Sequence, residues 1–419
     1  MQIAIIAAGA AALCLSAPAL GQTGYQESMA AAGQAFEDND WPALNQALDN
    51  AQAARPYSLY IYRNRILALM LAGRQSEALA LADDAAARGL TLALTGHPAF
   101  DDLAALPEFA PIAARMEANA APSGSASATR EFANAALLPE ALAFDKKQTL
   151  YVGSVRNGAI LSAKPKHQRL TKIVTAPGGV FDIEIRSDVL WAAVNNQLVY
   201  ENADPDAPFA AVMRFDARTG AVLGDARVSE NEALLGDLEV AKDGTVYASD
   251  SLTPRLYRMA PGGDALEICA EDPRFVNLQG IALDEKNHRL FVADYLAGLF
   301  SVDTATGAVT AIANDADAHL GGIDGLYRYK GGLIGIQNGT TPLRIVRIGL
   351  NSEGGAATDF TVLHANLEGW NEPTHGAVAG REFRYIATSN WPAYDDAGAV
   401  REGATLQPLR IMTLPLESK

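Results

Sequence analysis

The chain is short of cysteine, of basic side chains and of long apolar runs, and each shortage closes off a class of protein. It has two cysteines, Cys14 and Cys269. Cys14 lies in an apolar N-terminal stretch, so once that stretch is removed Cys269 stands alone, no intramolecular disulfide can form, and stability has to come from packing. Lys and Arg number 33 against 49 Asp and Glu, a formal net charge of −16. Phosphate backbones and anionic lipid repel such a chain, which excludes nucleic acid and membrane surfaces as primary partners. The apolar run at 1–21, MQIAIIAAGAAALCLSAPALG, is short for a membrane span and is broken by Ser16 and Pro18. It reads as a secretory signal peptide cleaved after Gly21, without the usual basic start, and predicts a periplasmic or secreted protein. No Ser nucleophile motif, zinc spacing or phosphate-binding glycine loop occurs, and GGIDG at 321–325 lacks the helix that such a loop needs.

What the chain does have is repetition. In LPEALAFDKKQTLYVGSVRNGAIL, 138–161, a polar residue opens a short apolar strand, a polar turn follows, and a second and third strand rich in β-formers come next. The same order recurs as GVFDIEI with LWAAV, GDLEVAKDG with VYASD, QGIALDEKN with LFVADY, IDGLYRYKG with LIGIQ, and THGAVAGRE with YIATSN. The opening polar positions, Glu140, Asp182, Asp237, Gln279, Asp324 and Thr374, stand 42 to 55 residues apart. A period of this size is that of propeller blades with loop insertions. The fold predicted is mainly β, a six-bladed β-propeller over 129–417 preceded by an N-terminal α-helical repeat domain. The last blade shows three strands, ending with LRIMTLPL at 409–416, so TREFANAAL at 129–137 is expected to supply its outer strand and close the ring. Asp250 and Asp294, each after a second strand, read as turn-bonding residues. Tyr151, Trp191, Tyr247, Phe291 and Tyr385 read as core between blades.

Over 25–118 the periodicity becomes helical. Phe36, Asn39, Pro42, Ala43, Leu44, Ala47 and Ala51 recur 35 residues later as Leu71, Arg74, Glu77, Ala78, Leu79, Ala82 and Ala86. The pattern resembles tetratricopeptide repeats, which implies a groove for a protein partner; a plain helical spacer has the same pattern. Two units are fewer than usually stand alone, so 97–116 is expected to cap the array or the array to lean on the propeller. Residues 119–128, NAAPSGSASA, have the composition of a flexible linker.

PEALAFD at 139–145, LYVGSVRNGAI at 150–160, LQGIALD at 278–284, IDGLYRY at 323–329 and EPTHGAVAG at 372–380 resemble the gluconolactonase and regucalcin family of six-bladed propellers. The resemblance implies a divalent cation, calcium foremost, held by oxygen ligands at the openings of the innermost strands, and hydrolysis of lactones or related small esters. It puts Glu140, Asp237, Gln279 and Asp324 in the metal-binding positions and makes Asp324 or His375 the group that takes the proton. Two positions depart from the family: Gln279 stands for an Asn, and Gly236–Asp237 for an Asn–Asp pair. Polar residues at strand openings also serve simply to line a wet channel, and His375 reads equally as ligand, base, substrate contact or hydrogen-bonded structural residue. Insertions at 195–210 and 391–408 fall between second and third strands, so they are expected to wall the mouth over Glu140 and Asp324, with Tyr200, Trp391 and Tyr394 offering apolar contacts to a small-molecule substrate. A non-catalytic binding protein using the helical repeats and the propeller face is the competing expectation.

Overall fold

The computed structural model describes residues 20–125, 127–197, 199–229, 232–395 and 398–416. The expected signal segment falls outside them up to residue 19, Cys14 included. Among the described residues no helix is long and apolar enough to cross a membrane. Two compact units divide after Asn119.

The first unit is helical: α1 (Leu20–Glu37), α2 (Trp41–Ala54), α3 (Leu59–Leu71), α4 (Gln75–Ala87), the short α5 (Asp101–Ala104) and α6 (Phe109–Ala120). Polar caps fix where α2 and α3 begin, since the Asp40 and Ser58 side chains accept the amides of Ala43 and Ile61, and Pro42 occupies the first turn, where its missing N–H costs nothing. The 35-residue repeat falls on α2 and α4. Its small residues, Ala47 and Ala51 in α2 and Ala82 and Ala86 in α4, are buried, which lets neighbouring helices approach closely. Asn45 ties α2 to α3 by donating to the carbonyl of Ala68. Phe100, Leu103, Phe109, Ile112 and Met116 join the Tyr62, Ile66 and Leu69 cluster, so the 97–116 segment covers the end of the helical core.

The second unit opens with β1 (Ser127–Phe132) and then builds four-stranded antiparallel sheets in chain order. Blade one is β2 (Pro139–Phe144), β3 (Leu150–Ser154), β4 (Ala159–Ala163) and β5 (Thr171–Thr175). Blade two is β6 (Gly179–Arg186), β7 (Val189–Asn195), β8 (Ala210–Asp216) and β9 (Val222–Arg227), and blade three is β10 (Leu235–Val240), β11 (Val246–Asp250), β12 (Arg255–Met259) and β13 (Glu267–Ala270). Blade four is β14 (Leu278–Asp284), β15 (Arg289–Asp294), β16 (Gly298–Asp303) and β17 (Val309–Ala311). Blade five takes the short β18 (Ala313–Asn314) as a parallel fifth strand outside β19 (Ile323–Tyr329), β20 (Gly332–Gln337), β21 (Arg344–Leu350) and β22 (Ala356–Ala365). Blade six is β23 (Gly376–Ala379), β24 (Glu382–Ile386) and β25 (Leu409–Pro415), completed by β1, which pairs antiparallel with β25 from Ser127 opposite Thr413 to Phe132 opposite Leu409. The chain thus forms a six-bladed β-propeller closed by its first and last strands. The segment read from composition as a linker is tied down by its backbone: Ser123 and Ala365 exchange both amide bonds, and β1 begins at Ser127.

The aromatic alternation seals neighbouring blades. Tyr151 packs with Ile183 and Leu190 of blade two, Trp191 with Leu238 and Val246 of blade three, Tyr247 with Ile281 and Leu290 of blade four, and Tyr385 with Tyr329 and Ile334 of blade five. Each such side chain contributes about 1.5–3 kcal/mol by burial. Asp250 and Asp294 are fully buried and accept backbone amides on two sides, Leu234, Leu252 and Thr253 for the first, Val276, Asn277, Leu296 and Ala297 for the second. Each carboxylate clamps the turn after its own strand to the segment entering its blade.

Candidate functional site

The innermost strand of every blade is a sheet edge, and an edge leaves backbone amides without a ladder partner. For blades three and four, acidic side chains of the preceding blade supply missing acceptors. Asp182 and Glu184 of β6 accept from Leu238 and Val240 of β10, at 3.0 and 2.6 Å, and Asp237 and Glu239 of β10 accept from Ile281 and Leu283 of β14, at 3.1 and 3.4 Å. The two-residue spacing follows from strand alternation, which puts both acids on one face. Burial, with Asp182 beside it and hydrogen-bonded to it, pushes the Asp237 carboxyl well above the usual range.

At the opening of the innermost strand, each of blades one to five carries one residue more than its partner strand can pair, a β-bulge. A bulge re-aims a side chain out of the pleat. In blade one the extra residue is Glu140; in blade five Asp324 and Gly325 together face one residue of β20. The strands converge so closely here that a Cβ on Gly280 would strike the backbone of Asp324 to Leu326, and one on Gly325 the Tyr327 hydroxyl and the carbonyl of Thr374. That is why glycine follows the opening residue of these blades.

The bulges of blades one and five, with the entry to blade six, bring Glu140, Asp324 and His375 together. One ligating atom from each lies within 4.8 Å of the others, and all three residues are buried. A different residue holds each from behind. Trp391 donates its indole N–H to Glu140 Oε2 at 2.6 Å, Asn338 donates Nδ2–H to Asp324 Oδ2 at 2.6 Å, and His375 Nδ1 lies 3.4 Å from Asp182 Oδ1. Asn338 is itself fixed by the Tyr295 hydroxyl at 2.9 Å, and Asp182 by the amides of Ile183 and Leu238. Among the described residues, the hydrogen bonds to these two side chains engage Glu140 Oε2 and Asp324 Oδ2.

The electrostatics describe a strongly acidic centre. Burial, then the neighbouring Asp324, drives the Glu140 carboxyl well above its usual range, against the pull of His375 and the Trp391 N–H. Burial also raises Asp324, with His375 and Asn338 opposing. Glu372, three residues before His375, is pushed up to about 8 by burial and by Asp324. Burial works against charge on His375, but the hydrogen bond to Asp182 and the fields of Asp182, Asp237 and Asp324 outweigh it and hold the imidazole up to about 10. Without a bound cation these shifts favour the protonated carboxyls, and His375, held up to about 10, is a proton donor there rather than an acceptor.

No protein-family model and no curated protein matches the chain. Among solved structures, a calcium-binding regucalcin from Agrobacterium tumefaciens is 14% identical over 70% of this chain and 93% of its own, with a TM-score of 0.48. An aldose sugar dehydrogenase from Streptomyces coelicolor, in its PQQ-bound form, is 17% identical over 70% of this chain and 99% of its own, TM-score 0.47. A virginiamycin B lyase from Staphylococcus aureus is 15% identical over 61% of this chain and 79% of its own, TM-score 0.44. At these identities the likeness concerns the fold alone.

Two carboxylate oxygens and an imidazole nitrogen, converging and oriented from behind, are a donor set that fits a divalent cation. A carboxylate behind a ligating histidine is the usual arrangement around such ions. The structure brings Glu140, Asp324 and His375 into this set. Asp237 lies outside it, occupied with the Ile281 amide and Asp182, while Gln279 uses its Nε2 to donate to Asn277 at 2.7 Å. Trp391, expected as an apolar contact, is a hydrogen-bond donor to the site. Tyr295, Asn338 and Glu372 went unnoticed in the sequence, although Tyr295 and Asn338 share one detectable feature: each follows directly on the second strand of its blade.

Proposed function

We propose that the propeller is a divalent-metal-dependent hydrolase of lactones or related small esters, with its centre at Glu140, Asp324 and His375. The observation that carries this reading is the convergence of the three ligating atoms within 4.8 Å, two of them from bulges in the innermost strands of blades one and five. The resemblance of PEALAFD, IDGLYRY and EPTHGAVAG to the gluconolactonase and regucalcin family supports it. The imidazole shifts the choice of ion: calcium prefers a cage of six to eight oxygens, whereas zinc or manganese accepts nitrogen readily, so we infer one of the latter rather than calcium. When bound, a divalent cation polarises a carbonyl oxygen and acidifies water. The chain's own residues do the rest. Trp391 and Asn338 fix the carboxylates, Asp182 fixes the imidazole ring, and the proton is taken by Asp324 or His375, with the Glu372 carboxyl, pushed up to about 8 by burial and by Asp324, adding to the acidity of the surroundings. The apolar segment 1–21 supports export to the periplasm or outside the cell.

The reading is tested by elemental analysis of the purified protein together with a panel of lactones. Near one equivalent of zinc or manganese is expected, with turnover of at least one lactone that a chelator abolishes and the metal restores. A second reading, recognition of a protein partner through the helical unit, draws on the groove among α1, α2 and α3 lined by Met29, Phe36, Leu44, Leu48, Leu67 and Phe100. A protein without metal and without turnover across the panel would favour it.

A further inference from the structure

Glu140 is the least constrained member of the centre. As the extra residue of its bulge it has no cross-strand partner, and its side chain carries one more rotatable bond than that of Asp324. Among the described residues its one hydrogen-bond donor is the indole N–H of Trp391, which comes from 251 residues away in the chain. An indole N–H donates and never accepts, so it claims one carboxylate oxygen and cannot itself bind a cation.

Trp391 in turn stands on a rigid base. Asn390 is buried in the left-handed region, at φ 71°, a conformation that asparagine tolerates better than most residues. Its side chain makes four hydrogen bonds. Nδ2–H donates to the carbonyls of Ala135 and Gln407, and Oδ1 accepts from the Gln407 amide and from Asn371 Nδ2, all between 2.7 and 3.1 Å. These bonds join both ends of the 391–408 insertion to the segment behind β1 and to the loop that carries Glu372 and His375. The insertion is braced further by pairing of Tyr394 with Val400, and Tyr394 is buried in a cluster with Val199 from the other insertion.

We propose that Trp391 is the positioning residue of the centre: its N–H holds Glu140 Oε2 so that Oε1 faces the cation, and the Asn390 clamp holds Trp391. This rests on the cation reading above. Ion binding and the Trp391–Glu140 hydrogen bond are then coupled, each favouring the other.

The experiment compares wild type with Trp391→Phe, which keeps an aromatic ring and deletes the donor. After chelator treatment, melting temperature is followed against zinc and against manganese. The expected result is a cation-free melting temperature close to wild type with cation affinity roughly 10–100-fold weaker, the usual effect of losing a partner behind a metal ligand. A purely structural tryptophan would do the reverse, lowering the cation-free melting temperature and leaving affinity alone; that result would overturn the proposal. Wild type labelled with 5-fluorotryptophan gives a second readout that needs no change at the site. Of its four tryptophan resonances, the one from Trp391 is expected to shift with cation occupancy. A static Trp391 resonance while the cation raises the melting temperature would also overturn it. If neither ion moves the wild-type melting temperature, the metal reading itself fails, and this inference with it.

Discussion

Glu140 and Asp324 show how two carboxylates are held at a place where neither gains from its own blade. Both are buried and both are raised in pKa, Glu140 in part by the charge of Asp324. A divalent cation removes that repulsion, and because it binds only the folded protein it raises stability by RT ln(1 + [L]/Kd). Glu140→Gln and Asp324→Asn are therefore each expected to abolish the dependence of melting temperature on zinc or manganese, and in cation-free buffer to be neutral or stabilising. A cation-free loss of several degrees in both variants would mean that the carboxylates hold the fold together by themselves. At this scale the sequence was legible where a residue's task depends on its own strand: Glu140, Asp324 and His375 occupy the positions that strand openings mark out. It was less legible where the task depends on the next blade. Asp237 is the example, since the sequence marks it as a strand opening but does not show that its carboxyl accepts the Ile281 amide of the neighbouring blade. The Trp391 to Glu140 bond joins the two ends of the propeller, a pairing that no local pattern encodes.

Blades were the most legible elements, because alternation, turn residues and a repeat near 45 residues all agree on them. The polar hairpins illustrate why. Asp216 and Asp303 head the same turn in blades two and four, each accepting the amide and hydroxyl of a Thr three residues on, before a glycine at φ 74° or 75°. The short parallel strand β18 had no such signature, being two residues long and paired across to the far end of β22. Closure by β1 was legible from arithmetic alone, since blade six had three strands and the ring needs a fourth. Its energetic weight lies in Phe132, which is 1% exposed and packs with Leu142, Leu150 and Ile411, so that it binds blade one to blade six. Phe132→Ala should cost about 3–5 kcal/mol, seen as a fall in melting temperature of roughly 10 °C. Deleting 127–137 should lower it further by baring the edge of β25. A protein beginning at Leu138 that melts with wild type would show that the ring does not need this strand.

For the whole molecule, the acidic groups gathered where the innermost strands converge set how stability varies with pH. Burial raises Glu140, Asp237 and Glu239 well above their usual range, Glu184 to about 7 and Glu372 to about 8. A carboxyl with a raised folded pKa keeps its proton in the native state over a window in which the unfolded chain has already lost it. Stability then falls as pH climbs through that window, from about 4.5 to about 7 for Glu184 and to about 8 for Glu372. His375 is raised from 6.5 to about 10, so its contribution is complete below 6.5 and is lost between there and about 10. All these slopes have the same sign. Against them stand exposed carboxylates such as Asp216 and Asp303, lowered by hydrogen bonds in their turns, which lose stability as pH falls but are screened by solvent and count for little. The cation-free protein should therefore be most stable near pH 5 and melt at progressively lower temperature toward pH 9. A bound divalent ion competes with the protons of the centre and gains as they leave, so with saturating zinc or manganese the decline should flatten or reverse above pH 7. Melting curves at unit pH steps with chelator and with metal would show this as two lines that diverge as pH rises. Parallel lines would mean that the ion binds away from the titrating centre, and a cation-free melting temperature that rises from pH 5 to pH 9 would mean that those carboxyls are already ionised in the fold.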